Sequence, residues 1–273
     1  MKLLLDAGNS RVKLGWLTPD GTREPAAAAL PRDGLAQALA AWLGALPAAP
    51  TSAHGVNVGG LDLAAQLERG LAPLGCPLVW HTAQPETLGL INGYREPARL
   101  GADRWLALVG LWAHPRHRAV PGAPAATRIL ATFGTATTVD TISVDGRFLG
   151  GLILPGVQLM LDSLARGTAD LPLAGGTAAD FPDHTHAAIV SGVIAAQAGA
   201  VLRQCRLARR HFPAHPVQVA VAGGAWPTLA PELADVLADP GLASAPQVLD
   251  NPVLDGLAML AGASPDVPRP FHA

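Results

Sequence analysis

The chain has little of what marks several protein classes. Only Cys76 and Cys205 are cysteines among 273 residues, far apart and in no CxxC pair. That excludes a disulfide framework and a cysteine-built zinc site, and it fits reduced thiols in a cytoplasmic protein. Neither charge sign dominates: the formal net charge is -2, which gives no electrostatic reason to bind nucleic acid or an anionic membrane. The basic group Arg203, Arg206, Arg209 and Arg210 has the spacing of a solvated helix side. No signal peptide is visible, since Met1-Lys2 leads straight into a short strand-like run, and no apolar run reaches transmembrane length. His184 and His186 do not share a helical face, and no HExxH occurs, so a histidine metal site is not expected. Tyr94 is the single tyrosine.

Apolar residues are plentiful. At 49% hydrophobic, the chain can bury one large core or two ordinary ones. "KLLLDAGNSRVKLGWLTPDG" reads as strand, polar knot, strand and turn, and "TREPAAAAL" as a third strand. Helical spacing follows over residues 33–46, then a strand over 51–58, a helix over 61–74, a strand at "PLVWHT", the loop "INGYREPARLG" and a helix over 102–114. The Pro- and Ala-rich stretch Pro115–Thr127 reads as a linker or surface loop. The order then restarts: "RILATFGTATTVDTISVDGRFLGGLILPG" is strand, knot, strand, Asp-Gly turn and strand. Helices are expected over 157–166 and 185–211, a strand at "VQVAVAGGA", a helix, the short strand "PQVLD", and a last helix over 253–261.

The two halves superimpose as patterns. Asp6-Ala7-Gly8-Asn9-Ser10 aligns with Thr132-Phe133-Gly134-Thr135-Ala136, 126 residues on (positions 6 and 132). That is the repeat of a whole small domain, with domains expected at 1–126 and 127–273. Two βββαβα halves of this kind are expected to face a central cleft, each turning its hairpin knot into it.

The knots hold glycine and hydroxyls but little positive charge. Successive backbone N–H groups in a tight turn bind phosphate without basic side chains, and hydroxyls add donors. Gly8 and Gly134 let a phosphate approach the backbone, while Asn9, Ser10, Thr135, Thr137 and Thr138 are the candidate side-chain donors. Asp6, at the end of a buried strand, suits Mg²⁺ held directly or through water, because Mg²⁺ takes one or two carboxylates plus nucleotide phosphates. Ordinary hairpin turns with polar tips are the alternative for either knot alone. In "LGADRW", Asp103 and Arg104 fall in the first turn of a helix, downstream of Tyr94. That set suits an acidic substrate bearing a hydroxyl: Asp103 accepts the hydroxyl proton and Arg104 pairs with a carboxylate. The alternative is dipole-favoured decoration of a helix start. "GGLILPG" (150–156) is either a close packing corner or a pocket wall. Thr185 is either the N-cap of the long helix or a ligand contact. "AGGAW" (222–226) either passes over a nucleoside or turns the chain.

In this order and spacing, "DAGNSRVK", "GADR", "FGTATTVDT" and "GGLILPG" resemble the type III pantothenate kinases, including members described as accessory factors for a virulence regulator. The resemblance spans nearly the whole chain. It implies an actin-like α/β fold of two ribonuclease-H-like domains, ATP with Mg²⁺ as phosphate donor, and pantothenate as acceptor. It also implies a cytoplasmic homodimer whose partner subunit completes the pantothenate site. Carried over by position, Asp6, Ala7, Gly8, Asn9, Ser10, Arg11, Val12 and Lys13 form the ATP phosphate stretch, with Thr135 a further ATP contact. Asp103 is the proton acceptor. Tyr94, Gly101, Ala102, Asp103 and Arg104 contact pantothenate, as does Thr185 from the partner subunit. Where the family carries an acid that binds K⁺ or NH₄⁺, this chain has Thr132. A threonine supplies one neutral oxygen and cannot balance a cation's charge, so monovalent-cation dependence is in question here.

The expected reaction is direct phosphoryl transfer from ATP to pantothenate. Two rivals stand beside it: another actin-like small-molecule kinase, and a non-enzymatic regulator that keeps the nucleotide-binding fold.

Overall fold

The computed structural model describes residues 1–114, 124–239 and 241–263. They form two compact units, 1–114 with 251–263 and 124–250 without 240. Most of the linker expected at 115–127 lies outside the described residues, and Thr127 already opens a strand.

In the first unit, β1 (Lys2–Ala7), β2 (Arg11–Leu17), β3 (Ala28–Pro31), β4 (Ser52–Asn57) and β5 (Leu78–Trp80) make a sheet in the order β3-β2-β1-β4-β5. β1 pairs antiparallel with β2 and parallel with β4, so the hairpin sits on one side of β1 and the crossover strand on the other. Alternation sends Leu3, Leu5, Ala7, Val12 and Leu14 to one face. There they pack with Leu35 and Leu39 of α1 (Leu35–Gly44) and with Leu63, Leu67 and Leu71 of α2 (Leu61–Leu71). The third strand is shorter than "TREPAAAAL" suggests. Arg23 makes only an isolated bridge to Leu17 before pairing resumes at Ala28. The "ETLGLIN" stretch holds a small hairpin, β6 (Glu86–Thr87) and β7 (Leu90–Asn92), ahead of α3 (Ala102–Ala113).

In the second unit, β8 (Thr127–Phe133), β9 (Ala136–Ile142), β10 (Arg147–Pro155), β11 (Val217–Ala222) and β12 (Gln247–Val248) run in the order β12-β11-β8-β9-β10. Renumbered from its own first strand, this is the order of the first unit. The repeat read from the two knots is therefore a repeat of topology. α4 (Val157–Gly167), α5 (Thr185–His211) and α6 (Trp226–Val236) cover one face, where Ile129, Ala131, Phe133 and Val139 meet Ile189, Val193, Val201 and Leu229. α5 is 27 residues long and apolar enough to cross a bilayer by length and composition, which corrects the expectation that no run reaches that length. Half of its most apolar window is buried within the protein. Arg203, Arg206 and Arg210 are exposed on it, while Arg209 donates to the His215 carbonyl at 3.1 Å.

The domain boundary needs a second correction. The last helix, α7 (Pro252–Ala263), was expected in the C-terminal domain, but it belongs to the first unit, packed on α3. Glycine permits this. A Cβ on Gly110 would lie 2.1 Å from the Pro252 carbonyl oxygen, and one on Gly256 would lie 2.0 Å from that of Leu106. The two helices meet backbone to backbone. Lys2 donates to the Ala261 carbonyl at 3.0 Å, and the buried pair Arg23–Asp255, at 2.5 Å, ties α7 to the segment after β2.

Candidate active site

The β1–β2 register builds the first knot. Asp6 lies opposite Lys13 and Ala7 opposite Val12. Ala7 and Val12 point into the core, so only their backbone can serve a ligand. Asp6 and Lys13 therefore share the other face, and the Lys13 ammonium lies 3.6 Å from the Asp6 carboxylate. Gly8, Asn9 and Ser10 form the turn, closed by the Gly8 N–H donating to the Arg11 carbonyl at 3.1 Å. Asn9, Ser10 and Arg11 are exposed, as donors to a ligand must be.

Asp6 is buried, and burial raises its carboxyl above the usual range. Lys13 opposes that rise, and the nearby charge of Asp103 adds to it. A buried carboxylate with a second acid close by and one ammonium against it is a hard-oxygen site short of positive charge. That donor chemistry suits Mg²⁺ carried with a nucleotide. Among the described residues no group of three His, Cys, Asp or Glu side chains gathers to hold a metal. A divalent ion would then rest on Asp6, phosphate oxygens and water.

Asp103 and Arg104 begin α3 behind Gly101, which has no side-chain cap bond. The Asp103 carboxylate accepts the Arg104 N–H at 2.8 Å. A Cβ on Gly101 would lie 2.9 Å from that same carboxylate oxygen, so the glycine leaves it room. Arg104 donates to the Tyr94 hydroxyl at 3.1 Å, its guanidinium carbon 6.0 Å from the ring centre. Ala102 is half-buried in the same turn. The sequence reading missed the organiser of this loop. Buried Asn92 accepts the Tyr94 N–H at 3.1 Å and donates to the carbonyls of Gln84 at 3.2 Å and Pro97 at 3.3 Å. An asparagine two residues before the loop's tyrosine is the one signal that pointed to it, because such side chains cap nearby N–H groups.

In the second unit the knot Gly134–Ala136 closes with the Gly134 N–H donating to the Ala136 carbonyl at 3.1 Å. Thr135 is exposed. Thr137, expected as a phosphate donor, is fully buried. Strand alternation places it on the face of Val139, in the core, and leaves Thr138 on the other face. Thr132 is half-buried, opposite Thr138 on β9 and Ala222 on β11. The two glycine-bearing stretches turn out to press on this knot. A Cβ on Gly156 would lie 2.2 Å from the Gly134 carbonyl oxygen, and one on Gly223, whose φ is +100°, would lie 2.3 Å from that of Phe133. At Gly156 and Gly223, then, "GGLILPG" and "AGGAW" are packing corners. Thr185 is the first residue of α5 and is not its N-cap, a place taken by His184. Thr185 is exposed and lines a concavity of about 650 Å³ with Pro155, Met160, Leu164, Ile189 and Val193.

The family model described as type III pantothenate kinase matches residues 2–207. A Bordetella petrii protein named Type III pantothenate kinase is 52% identical over 271 residues, spanning 97% of this chain and 98% of the relative. Two solved structures are similar at low identity. A candidate transcriptional activator of the Baf family from Campylobacter jejuni is 17% identical, with a TM-score of 0.56 over 95% of this chain and 97% of that one. A candidate 2-dehydro-3-deoxygalactonokinase from Sinorhizobium meliloti is 18% identical, with a TM-score of 0.55 over 96% and 99%. At these identities the two structures speak for the fold alone, which is actin-like.

Proposed function

The chain belongs to the type III pantothenate kinase family, and we propose that it transfers the γ-phosphoryl group of ATP to the primary hydroxyl of pantothenate, with Asp103 as base. It is a kinase of coenzyme A biosynthesis; the residue roles that follow are the proposal. The observation that carries them is the closeness of Asp103 to the Asp6 knot within one unit, near enough for the charge of one to act on the carboxyl of the other. A base for the acceptor hydroxyl and a cradle for the transferring phosphate are neighbours.

Asp103 orients the hydroxyl and takes its proton as the oxygen attacks the γ-phosphorus in line. The bond from that phosphorus to the bridging oxygen breaks, and ADP leaves. Gly8, Asn9 and Ser10 bind phosphate oxygens, and Ala7, Arg11 and Val12 complete the strand ends that hold them. Asp6 would hold Mg²⁺ directly or through water, and the ion, when bound, would neutralise phosphate charge. Lys13 adds a point charge at the same place. Thr135 is a further ATP contact. Arg104 and Tyr94, bonded to each other, bind the acceptor, and Arg104 pairs with the pantothenate carboxylate. Its engagement with the Tyr94 loop favours that role over a place at the knot. Gly101 and Ala102 form the wall beside them.

A homodimer, with Thr185 of one subunit reaching the acceptor bound by the other, is part of the proposal. So is a cytoplasmic location. Burial raises both thiols, Cys205 to about 12, which fits cysteines that stay reduced.

The test is ADP release from Mg²⁺-ATP with and without pantothenate, repeated in sodium, potassium and ammonium salts. Pantothenate-dependent ADP together with phosphopantothenate supports the reading. Release that ignores pantothenate would point to another acceptor or to hydrolysis. ATP binding without turnover in any salt would favour the accessory-protein rival.

A further inference from the structure

The first knot raised a question of charge, since its tip bears no cation of its own. Folding brings one. Arg32 follows β3, and its Nη1 donates to two main-chain carbonyls, Asn9 in the knot and Gly59 in the β4–α2 loop, each at 3.2 Å. These two loops already touch. The Val58 N–H donates to the Ala7 carbonyl at 3.0 Å, and a Cβ on Gly59 would lie 2.8 Å from the Gly8 carbonyl oxygen. Asn57 fixes the second loop, accepting the Gly59 N–H at 2.9 Å and donating to the Gly60 carbonyl at 2.8 Å.

Three features of Arg32 go beyond support of a turn. A guanidinium carries five N–H donors, and the two carbonyls use only Nη1, which leaves the Nε and Nη2 edge. Among the described residues Arg32 meets no carboxylate, so its permanent charge is balanced by no side chain. Holding the Asn9 carbonyl also fixes its peptide plane, and with it the opposite direction of the Ser10 N–H.

We propose that Arg32 is a further phosphate-binding residue of this enzyme. Through Nη1 it sets the Asn9–Ser10 peptide, and through its remaining edge it donates to an oxygen of the nucleotide's β- or γ-phosphate. This rests on the reading of Asp6–Lys13 as the phosphate cradle. The Gly8–Ser10 turn that Arg32 holds is the tip of that cradle, next to the facing Asp6–Lys13 pair. Forked donors at fixed spacing are what planar phosphate recognition uses, and lysine does not reproduce them.

The experiment is calorimetric titration of the full-length protein with ATP, ADP and AMP in Mg²⁺, for wild type, Arg32→Gln, Arg32→Lys and Ser10→Ala, with thermal melting of each. Arg32→Gln is expected to bind ATP and ADP roughly 10- to 100-fold more weakly, with AMP changed less than about threefold. Arg32→Lys should fall between, and added guanidinium salt should restore part of the turnover of Arg32→Gln. If Ser10→Ala weakens ATP and Arg32→Gln binds it as wild type, the role of Arg32 is overturned while the cradle stands. If neither change weakens ATP, the cradle reading falls and this one with it. An equal loss of all three nucleotides, without guanidinium rescue, would assign Arg32 to folding and also overturn the proposal.

Discussion

Lys13 stands directly across the β1–β2 ladder from Asp6, its ammonium 3.6 Å from the carboxylate, yet the carboxyl of Asp6 stays above the ordinary range. Burial outweighs the attraction of the lysine, and the charge of Asp103 adds to the burden. An acid whose folded-state value is raised takes stability away as pH rises through that value, because the unfolded chain loses its proton first. Above that value the Asp6 carboxylate works against folding.

Asp6→Asn is expected to keep or raise stability in the absence of nucleotide, by about 2–4 °C in melting temperature for each kcal/mol relieved, while turnover falls at least about a hundredfold. Melting curves at pH 7 and initial rates read the two effects. A melting temperature several degrees below wild type would show that the Lys13 pair stabilises the fold after all.

Asp103→Asn preserves the shape of the α3 start and removes the proton acceptor. Turnover should drop about 10²- to 10⁴-fold with ATP affinity little changed. Single-turnover rates and nucleotide titration separate the two terms, and near-normal turnover would remove Asp103 as base.

Thr132 sits half-buried on β8, opposite Thr138, at the position where the resemblance implies an acid that binds a monovalent cation. Thr132→Asp is expected to introduce or strengthen activation by potassium over sodium. Identical salt dependence in the two proteins would show that this position does not govern a cation.

His81 follows β5, its ring stacked on that of His54 with the nitrogens 3.1 Å apart. Burial pulls its pKa down to about 4. Between the unfolded value near 6.5 and about 4 the unfolded chain takes a proton that the folded chain does not. The stability held above that window is lost as pH falls through it, on the order of 2 kcal/mol after allowing for partial exposure. His81→Gln should flatten the fall in urea midpoint between pH 6.5 and 4.5. An unchanged slope would assign the acid sensitivity to other groups.

Much of the site was legible before folding because it is local. The Asp6 knot, the Gly134 knot and the Asp103–Arg104 turn are short segments in which hydroxyls, acids and glycines interrupt apolar runs, and their chemistry travels with their spacing. The hairpin β6–β7 leaves no mark in the sequence because strands of two and three residues show no alternation to read, and its last two residues open the stretch expected as a loop.

By itself the sequence determined the repeated strand order, the position of both knots, and the acid and arginine opening α3. Each depends on residues close along the chain, where alternation and turn chemistry act. Only tertiary structure decided the rest. α7 returns to the first unit because glycines on α3 and α7 let two backbones touch, and an apolar helix does not announce which sheet it will cover. Thr137 became core because its strand face did, although its hydroxyl alone suggested a ligand. Arg32 reached the knot from the end of the neighbouring strand β3, where two carbonyls from separate loops lay within reach of one nitrogen. A long side chain's partners are fixed by packing, not by its neighbours in sequence.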